Sequence, residues 1–172
     1  HLPENSKINV DALKNSSNLE ELVFWGSTTS SELEGVGVET EIIGINKLSV
    51  LSKLKCLFLR NVRLDNWIEI KNIMSLENLV IYGVQDMDCS GISELKNLKY
   101  LSMEELTVDE EVLDKISNAE KLQNIQMLGL GHLKGTNETA EILKQMKNLR
   151  RIDIESVEDN YSIGFLKNLN QI

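Results

Sequence analysis

Apolar residues follow an uncommon spacing in the middle of the chain, over residues 95–106. The segment reads Leu-Lys-Asn-Leu-Lys-Tyr-Leu-Ser-Met-Glu-Glu-Leu, so its apolar positions are separated by three, three, two and three residues. A helix repeats about every 3.6 residues and a strand about every two, and neither period accounts for this spacing. A tight turn that leads into a short strand does. The strand is predicted over residues 101–103, with Leu101 and Met103 pointing into one core.

The same turn-and-strand pattern recurs along most of the chain. Successive copies of the strand start 35, 22, 22, 24, 27 and 20 residues apart. Such recurrence indicates a repeat architecture in which each copy buries its apolar residues against the next one. The predicted strands are Leu22-Val23-Phe24, Leu57-Phe58-Leu59, Leu79-Val80-Ile81, Leu101-Ser102-Met103, Ile125-Gln126-Met127, Ile152-Asp153-Ile154 and a last strand that starts at Ile172.

This pattern resembles the leucine-rich repeat family, whose repeats read L-x-x-L-x-L-x-x-N/C-x-L with periods of about 20–29 residues. The resemblance covers residues 8–172. It implies an α/β solenoid, a right-handed leucine-rich-repeat horseshoe with a parallel β-sheet on the concave face and helices or turns on the convex face. Residues 1–172 are therefore expected to form a single leucine-rich-repeat domain of about six to seven repeats.

The sequence departs from the family pattern at one position of the repeat. Where the family places a buried asparagine or cysteine, this chain has apolar residues, so the loops after the strands need other partners for their carbonyl groups. We interpret the chain as an irregular, bacterial-type member, and the resemblance then implies a secreted or cell-surface protein. The residues at this position are Val62, Val84, Leu106, Leu130 and Val157.

The pattern also predicts features outside the repeated strands. Residues 8–10 alternate and predict a short capping strand at the N-terminal end. A polar, glycine-containing insertion over residues 26–40 predicts a surface loop. The sequence stops at Ile172, where a strand begins, so we expect either further chain or another molecule to cover this edge, and end-to-end self-association is one way to do so. Convex helices are predicted over residues 41–54, 109–116 and 137–147.

Composition narrows the class of partner. The chain has 172 residues, of which 41% are hydrophobic, and its net charge is −9. An acidic chain lacks the basic face that binds phosphates, which argues against nucleic acid as the partner. The sequence contains no apolar run long enough for membrane insertion. Its two cysteines, Cys56 and Cys89, differ in repeat phase, so two free thiols are expected.

The motifs for catalysis or cofactor binding are incomplete. Residues 86–91 resemble the first half of a calcium loop, but Asn97 occupies the position of the bidentate glutamate, which favours a polar turn. The glycines of residues 129–135 match no phosphate-binding spacing and are interpreted as a turn after a strand. His1 and His132 are the only histidines, too few for a histidine metal site. We therefore expect no enzyme activity, no cofactor and no metal.

Alternate strand residues face away from the core, and this phase predicts a binding surface. The first half of the sheet displays aromatic side chains and an arginine, which are enriched in interface hot spots, while the second half is acidic. A competing interpretation is that the insertion or a neighbouring domain covers this patch. The predicted partner-binding residues are Trp25, Phe58, Arg60, Tyr82, Tyr100, Glu104, Asp153 and Glu155.

Three functions are compatible with such a surface. The first is a non-enzymatic protein–protein interaction module that binds a protein partner through the concave face, with its acidic half steering a basic surface. The second is a carbohydrate-binding adhesin domain in which Trp25 and Tyr82 stack on sugar rings. The third is a structural spacer without a ligand. Protein binding should weaken as salt increases, whereas sugar binding should be nearly independent of salt.

Overall fold

The structure is a computed structural model that describes residues 6–26, 40–84, 87–117 and 122–157. Its strands are β1 (Lys7–Asn9), β2 (Glu21–Trp25), β3 (Thr40–Ile43), β4 (Cys56–Arg60), β5 (Val62–Leu64), β6 (Asn78–Tyr82), β7 (Tyr100–Val108), β8 (Met127–Leu133) and β9 (Arg151–Val157). Its α-helices are α1 (Glu110–Ser117) and α2 (Asn137–Leu143). Short 3₁₀ helices span Val10–Leu13, Ile45–Val50, Trp67–Asn72 and Ile92–Glu94.

Six of these strands form one parallel sheet in the order β2-β4-β6-β7-β8-β9. Equivalent residues of neighbouring repeats stand directly beside each other, as Leu57 does with Leu79 and Leu79 with Leu101. Because the strands are parallel, each connection has to pass behind the sheet before the next strand starts. The connections carry the α-helices and 3₁₀ helices, so the sheet has one face packed on them and one face without them.

The core lies between the sheet and these connections. Leu79, Ile81, Leu101 and Met103 point inward from β6 and β7, and all four are buried. The apolar pair that precedes each strand completes the layer, and Leu98 of the pair before β7 is likewise buried. Burying one such side chain contributes about 1.5–3 kcal/mol. The alternation that predicted the strands is therefore the alternation that builds the core.

A second, three-stranded parallel sheet has the order β1-β3-β5 and corrects two expectations. The segment 41–54 was expected to be helical, but it opens with strand β3 and continues as a 3₁₀ helix. Ile42 is fully buried, and the left-handed backbone of Gly44 (φ 76°) ends the strand. The N-terminal strand, expected at residues 8–10, runs over Lys7–Asn9 and pairs with β3.

The strand of the fifth repeat lies three residues later than predicted. Leu101 pairs with Leu128 and Met103 with Leu130, so Leu128–Leu130 replaces the expected strand over residues 125–127. Three buried residues spaced three apart precede or begin this strand, namely Leu122, Ile125 and Leu128. The apolar spacing therefore also fits a strand placed three residues earlier. The outward positions change as well: Leu128 faces the core, and Gly129 takes the place that the earlier strand would have given to Gln126.

The later start of the fifth strand also changes which residue occupies the position at which the family has asparagine or cysteine. In β8 this position is held by Leu133, which pairs with Val108 and Val157, whereas Leu130 is an inward residue of the strand. In β7 the register shifts between Met103 and Thr107. Two extra residues therefore bulge from β7, and Val108 replaces Leu106 at the family position.

Side-chain amides support the chain at another edge of the repeat, in the turns before the strands. Each asparagine of this series donates a hydrogen bond to a backbone carbonyl of the preceding repeat. Each of these asparagines precedes a leucine or an isoleucine, and its side chain satisfies a polar backbone group of the neighbouring turn. The bonds run from Asn97 Nδ2 to the Met74 carbonyl (2.7 Å), from Asn124 Nδ2 to the Lys96 carbonyl (2.8 Å) and from Asn148 Nδ2 to the Gln123 carbonyl (2.5 Å).

The other predicted elements divide between described and undescribed residues. The helix expected over 109–116 is α1, and the one expected over 137–147 is present but ends at Leu143. The predicted insertion over residues 26–40 lies outside the described residues except at its ends, where Thr40 already belongs to β3. The final strand and the edge expected at Ile172 also lie outside the described residues.

Candidate functional site

The candidate site is the face of the six-stranded sheet that points away from the helices, which we call the outer sheet face. Strand register arranges its side chains in three rows that run across the strands. The first row is Glu21, Cys56, Asn78, Tyr100, Met127 and Arg151. The second row is Val23, Phe58, Val80, Ser102, Gly129 and Asp153. The third row begins with Trp25, Arg60, Tyr82 and Glu104.

Seven of the eight predicted site residues lie in these rows, and Glu155 follows the inward Ile154 on β9 and so faces outward as well. Register alone brings Trp25, Arg60 and Tyr82 side by side, because their strands are neighbours. Phe58 is half-buried between Val23 and Val80. The predicted residues therefore fall into an aromatic half on β2, β4 and β6 and an acidic half on β7 and β9.

The aromatic half is organised by a stack of three side chains. Arg60 Cζ lies 4.7 Å from the centroid of the Trp25 ring and 4.2 Å from the centroid of the Tyr82 ring. The guanidinium thus has an aromatic ring on each side, in the geometry of two cation–π interactions. Within the described residues no carboxylate forms an ion pair with Arg60. Trp25 remains 47% exposed.

The stack continues into the bulge of β7 through Tyr82. Its hydroxyl donates a hydrogen bond to Glu105 Oε1 at 3.1 Å, and this bond raises the pKa of Tyr82 above its ordinary value of 10.0. Glu105 has a left-handed backbone (φ 54°), and its N–H donates to Glu155 Oε2 at 3.1 Å. A carboxylate of β9 therefore supports the bulge of β7 from the far side of β8.

Two glycines of β8 make this arrangement possible. A Cβ atom on Gly131 would lie 2.7 Å from the Leu106 carbonyl oxygen and 3.0 Å from the Glu105 nitrogen, both backbone atoms of the bulge. A Cβ on Gly129 would lie 2.6 Å from Ser102 Oγ. The contacts at Gly131 are with backbone atoms that cannot move aside, so the close approach of β7 requires glycine there, whereas a Cβ at Gly129 would displace the Ser102 hydroxyl. The segment 129–135 was expected to be a turn, but its first five residues belong to β8.

The acidic half surrounds a cavity of about 240 Å³ at Gly129. Glu104 accepts a hydrogen bond of 2.6 Å from Ser102 Oγ, and Ser102 is fully buried although its side chain belongs to the outer sheet face. Asp153 accepts a bond of 2.9 Å from Arg151 Nε. The residues that line the cavity are Tyr100, Ser102, Glu104, Gly129, Leu130, Asp153, Ile154 and Glu155.

Sequence reasoning missed two parts of this site. Gly129 was missed because the strand was placed three residues too early, which assigned Gln126 to its position in the second row. Glu105 is not among the predicted site residues, yet it connects Tyr82 with Glu155. The buried series Leu122, Ile125 and Leu128 contains the signal for Gly129, since it matches the series that ends at Leu101.

Other candidate sites have simpler structural roles. Asp88 accepts hydrogen bonds from the backbone and hydroxyl of Ser90, which fits the polar turn expected within residues 86–91; Asp86 lies outside the described residues. His132 Nδ1 lies 2.6 Å from Ser156 Oγ, but no carboxylate in the described ranges is bonded to its other nitrogen. The described part of the chain contains no group of three or more His, Cys, Asp or Glu arranged to hold a metal ion.

Both cysteines are free thiols, as predicted. Cys56 is half-buried in the first row of the outer sheet face, where its sulfur accepts a hydrogen bond from Asn78. Cys89 is buried, and this burial raises the pKa of its thiol to about 11. Among the described residues, no helix has the length and apolar character needed to cross a membrane.

The recurring turn-and-strand unit, its parallel sheet and the helices behind that sheet define a repeat solenoid with an outer sheet face. The sequence is 29% identical to Toll-like receptor 2 of the horse, Equus caballus, over 136 residues, which are 71% of this chain and 17% of the receptor. This chain is a leucine-rich repeat protein, so the predicted family and fold are confirmed. It spans less than a fifth of the length of that receptor.

A solved structure has the same fold. Internalin C2 of Listeria monocytogenes superposes with a TM-score of 0.57 at 18% identity, over 98% of this chain and 75% of internalin C2. The internalin inlF of the same organism gives a TM-score of 0.44 at 14% identity, over 95% of this chain and 62% of that structure. A search of family models found no match.

Proposed function

We propose that this chain is a non-enzymatic protein-binding module that holds its partner on the outer sheet face. The observation that carries the proposal is the stack of Trp25, Arg60 and Tyr82. Trp, Tyr and Arg are the residue types most enriched among interface hot spots. Here all three are placed side by side on one exposed surface by strand register. Leucine-rich repeat proteins commonly offer such extended surfaces to partners.

The stack is ordered before any partner arrives. Arg60 is fixed between two rings, so less side-chain entropy is lost when a partner binds it. Its charge has no ion-pair partner among the described residues, although the chain as a whole carries a net charge of −9. A carboxylate or a carbonyl group of a partner would supply that missing interaction. The aromatic half therefore suits an acidic or polar partner segment, beside an acidic half that suits a basic one.

The same stack makes the carbohydrate-binding alternative less favourable. A sugar binds to Trp or Tyr by lying on a ring face, and Arg60 already covers one face of the Trp25 ring and one face of the Tyr82 ring.

We also propose a secreted or cell-surface location in a bacterium. The irregular repeats and the fold shared with internalin C2 support that location.

Selection of peptides from a random display library on the immobilised full chain tests the proposal. We expect the enriched peptides to bind Tyr82→Ala at least tenfold more weakly than the unmodified chain. Val50→Ala is the matched control, because Val50 is an exposed apolar residue (58%) on a 3₁₀ helix behind the sheet. Binding should also weaken as salt increases. Peptides that bind Tyr82→Ala normally, or a selection that yields none, would contradict the proposal and favour a spacer.

A further inference from the structure

The acidic half of the outer sheet face contains a gap in the second row of side chains. Between Ser102 on β7 and Asp153 on β9, this row has Gly129 and therefore no side chain. Residues on either side rise above the backbone of β8, and a cavity of about 240 Å³ opens between them. A Cβ at Gly129 would lie 2.6 Å from Ser102 Oγ, so a side chain that filled the gap would displace the hydroxyl that Ser102 donates to Glu104.

The walls of this cavity carry an excess of negative charge. Three carboxylates line it, those of Glu104, Asp153 and Glu155. One guanidinium, that of Arg151, lies beside them and binds Asp153 at 2.9 Å while staying largely exposed. Three negative charges against one positive charge leave the cavity acidic. The ring of Tyr100 forms another part of the wall and offers an apolar surface.

Hydrogen bonds hold the three carboxylates in place, and each carboxylate can still accept further hydrogen bonds. Each ionised carboxylate has two oxygens and about four lone-pair sites. Glu104 uses Oε1 for the Ser102 hydroxyl, and Glu155 uses Oε2 for the Glu105 N–H. Asp153 uses Oδ1 for Arg151. The wall is therefore ordered without a ligand and still able to accept further hydrogen bonds.

The size of the cavity limits what it can hold. A water molecule occupies about 30 Å³ in the liquid, so the cavity of about 240 Å³ corresponds to about eight water-sized groups. Pockets for small-molecule ligands are larger, about 300–1,000 Å³. One long amino-acid side chain fits this volume better than a cofactor or metabolite does.

We infer that this cavity is a subsite for a single lysine or arginine side chain presented by a protein partner; the inference rests on the proposed function. The aliphatic stem would lie against Tyr100, and the charged end would meet the carboxylates of Glu104 and Asp153. Long basic side chains combine these two properties, an apolar stem and a cationic tip. The partner would then be held at two places on one face, at the stack and at the cavity.

Nuclear magnetic resonance tests this subsite without knowledge of the partner. The probe is Nα-acetyl-arginine methylamide, titrated into the ¹⁵N-labelled full chain, and the signals to follow are the amides of Gly129 and Gly131. The control probe is Nα-acetyl-citrulline methylamide, which has nearly the same shape and no charge. We expect saturable shifts at these glycines with the arginine probe and only small shifts with the citrulline probe.

Three variants that each remove one negative charge complete the experiment. Glu104→Gln and Asp153→Asn should weaken binding of the arginine probe by about twofold to fivefold each, as loss of a partly exposed ion pair predicts. Glu21→Gln is the matched control, because Glu21 is an exposed carboxylate on the same sheet face but on β2. It should bind the probe as the unmodified chain does. Urea unfolding of all three variants verifies that they are folded.

Several results would overturn the inference. Equal shifts with both probes would show that charge is not recognised. Equal weakening by Glu21→Gln would show a general effect of net charge. If no shift occurs at the glycines but selected peptides still depend on Tyr82, the subsite is wrong and the proposed protein binding stands. If neither test succeeds, both proposals are wrong.

Discussion

The stack around Arg60 supports a quantitative prediction for Arg60→Met. Methionine keeps most of the apolar stem of arginine, so the change mainly removes the guanidinium between the Trp25 and Tyr82 rings. Each cation–π interaction contributes about 0.5–1 kcal/mol when exposed and about 2 kcal/mol when desolvated. Arg60 is half-buried and contacts two rings at 4.7 and 4.2 Å. We expect the free energy of unfolding to fall by about 1–2 kcal/mol.

Two measurements test this value. Urea unfolding gives the change in free energy directly, and a double-mutant cycle with Tyr82→Leu isolates the interaction between Arg60 and that ring. The coupling energy should be about 0.5–1 kcal/mol. Arg63→Met is the matched control, since Arg63 is an exposed arginine that contacts Glu41 at 3.4 Å on the second sheet. Its loss should cost less than about 0.5 kcal/mol.

Tryptophan fluorescence adds a local measurement. The chain has two tryptophans, and Trp67 is buried, so a Trp67→Phe background makes emission report on Trp25 alone. Acrylamide should quench Trp25 more strongly after Arg60→Met, because the guanidinium no longer covers one face of the ring. Acrylamide is preferable to iodide, which Arg60 itself would attract. Unchanged quenching together with unchanged stability would refute the stacked arrangement.

Two further predictions concern acid stability and thiol reactivity. Hydrogen bonds from Lys99 and Lys55 lower the pKa of Glu77 below its ordinary value of 4.5, so its stabilisation is complete above that pH and is lost as the pH falls through the lower native pKa. Urea midpoints should therefore fall less between pH 7 and pH 3 in Glu77→Gln than in the unmodified chain; equal falls would contradict this. Iodoacetamide at pH 8 should modify Cys56 before Cys89, whose thiol is buried and has a pKa of about 11. Mass spectrometry of the native chain measures the order, and equal rates would contradict the burial of Cys89.

The sequence predicted the strands correctly where the apolar residues can be aligned with the repeat in only one way. Leu57, Leu79 and Leu101 follow the two-residue alternation of a strand, and their repeats superpose without ambiguity. Around Leu122, Ile125 and Leu128 a step of three residues recurs, so the strand could start at Ile125 or at Leu128. Local spacing cannot choose between them, because each choice buries the same residue types. Pairing with β7 and β9 decides the register.

In the candidate site, too, the sequence predicted which side chains face outward, and the structure decided which of them meet. Alternation alone predicted that Trp25, Arg60 and Tyr82 face outward, since each follows an inward residue of its strand. That Arg60 lies between the two rings depends on the neighbouring strands being in register. The cavity at Gly129 and the bond from Glu105 to Glu155 depend on a bulge whose length the apolar pattern does not encode.

The sequence by itself thus determined the repeat and, outside the fifth repeat, the residues that face the core, because burial of alternate apolar side chains is a local periodic property. The parallel sheet followed from the resemblance to the family. Only the tertiary structure decided the second sheet with β3, where backbone pairing with β1 and β5 replaces the helix expected after Thr40. It also decided which outward side chains meet across strands. Those contacts join residues distant in the chain, and their geometry follows from strand register.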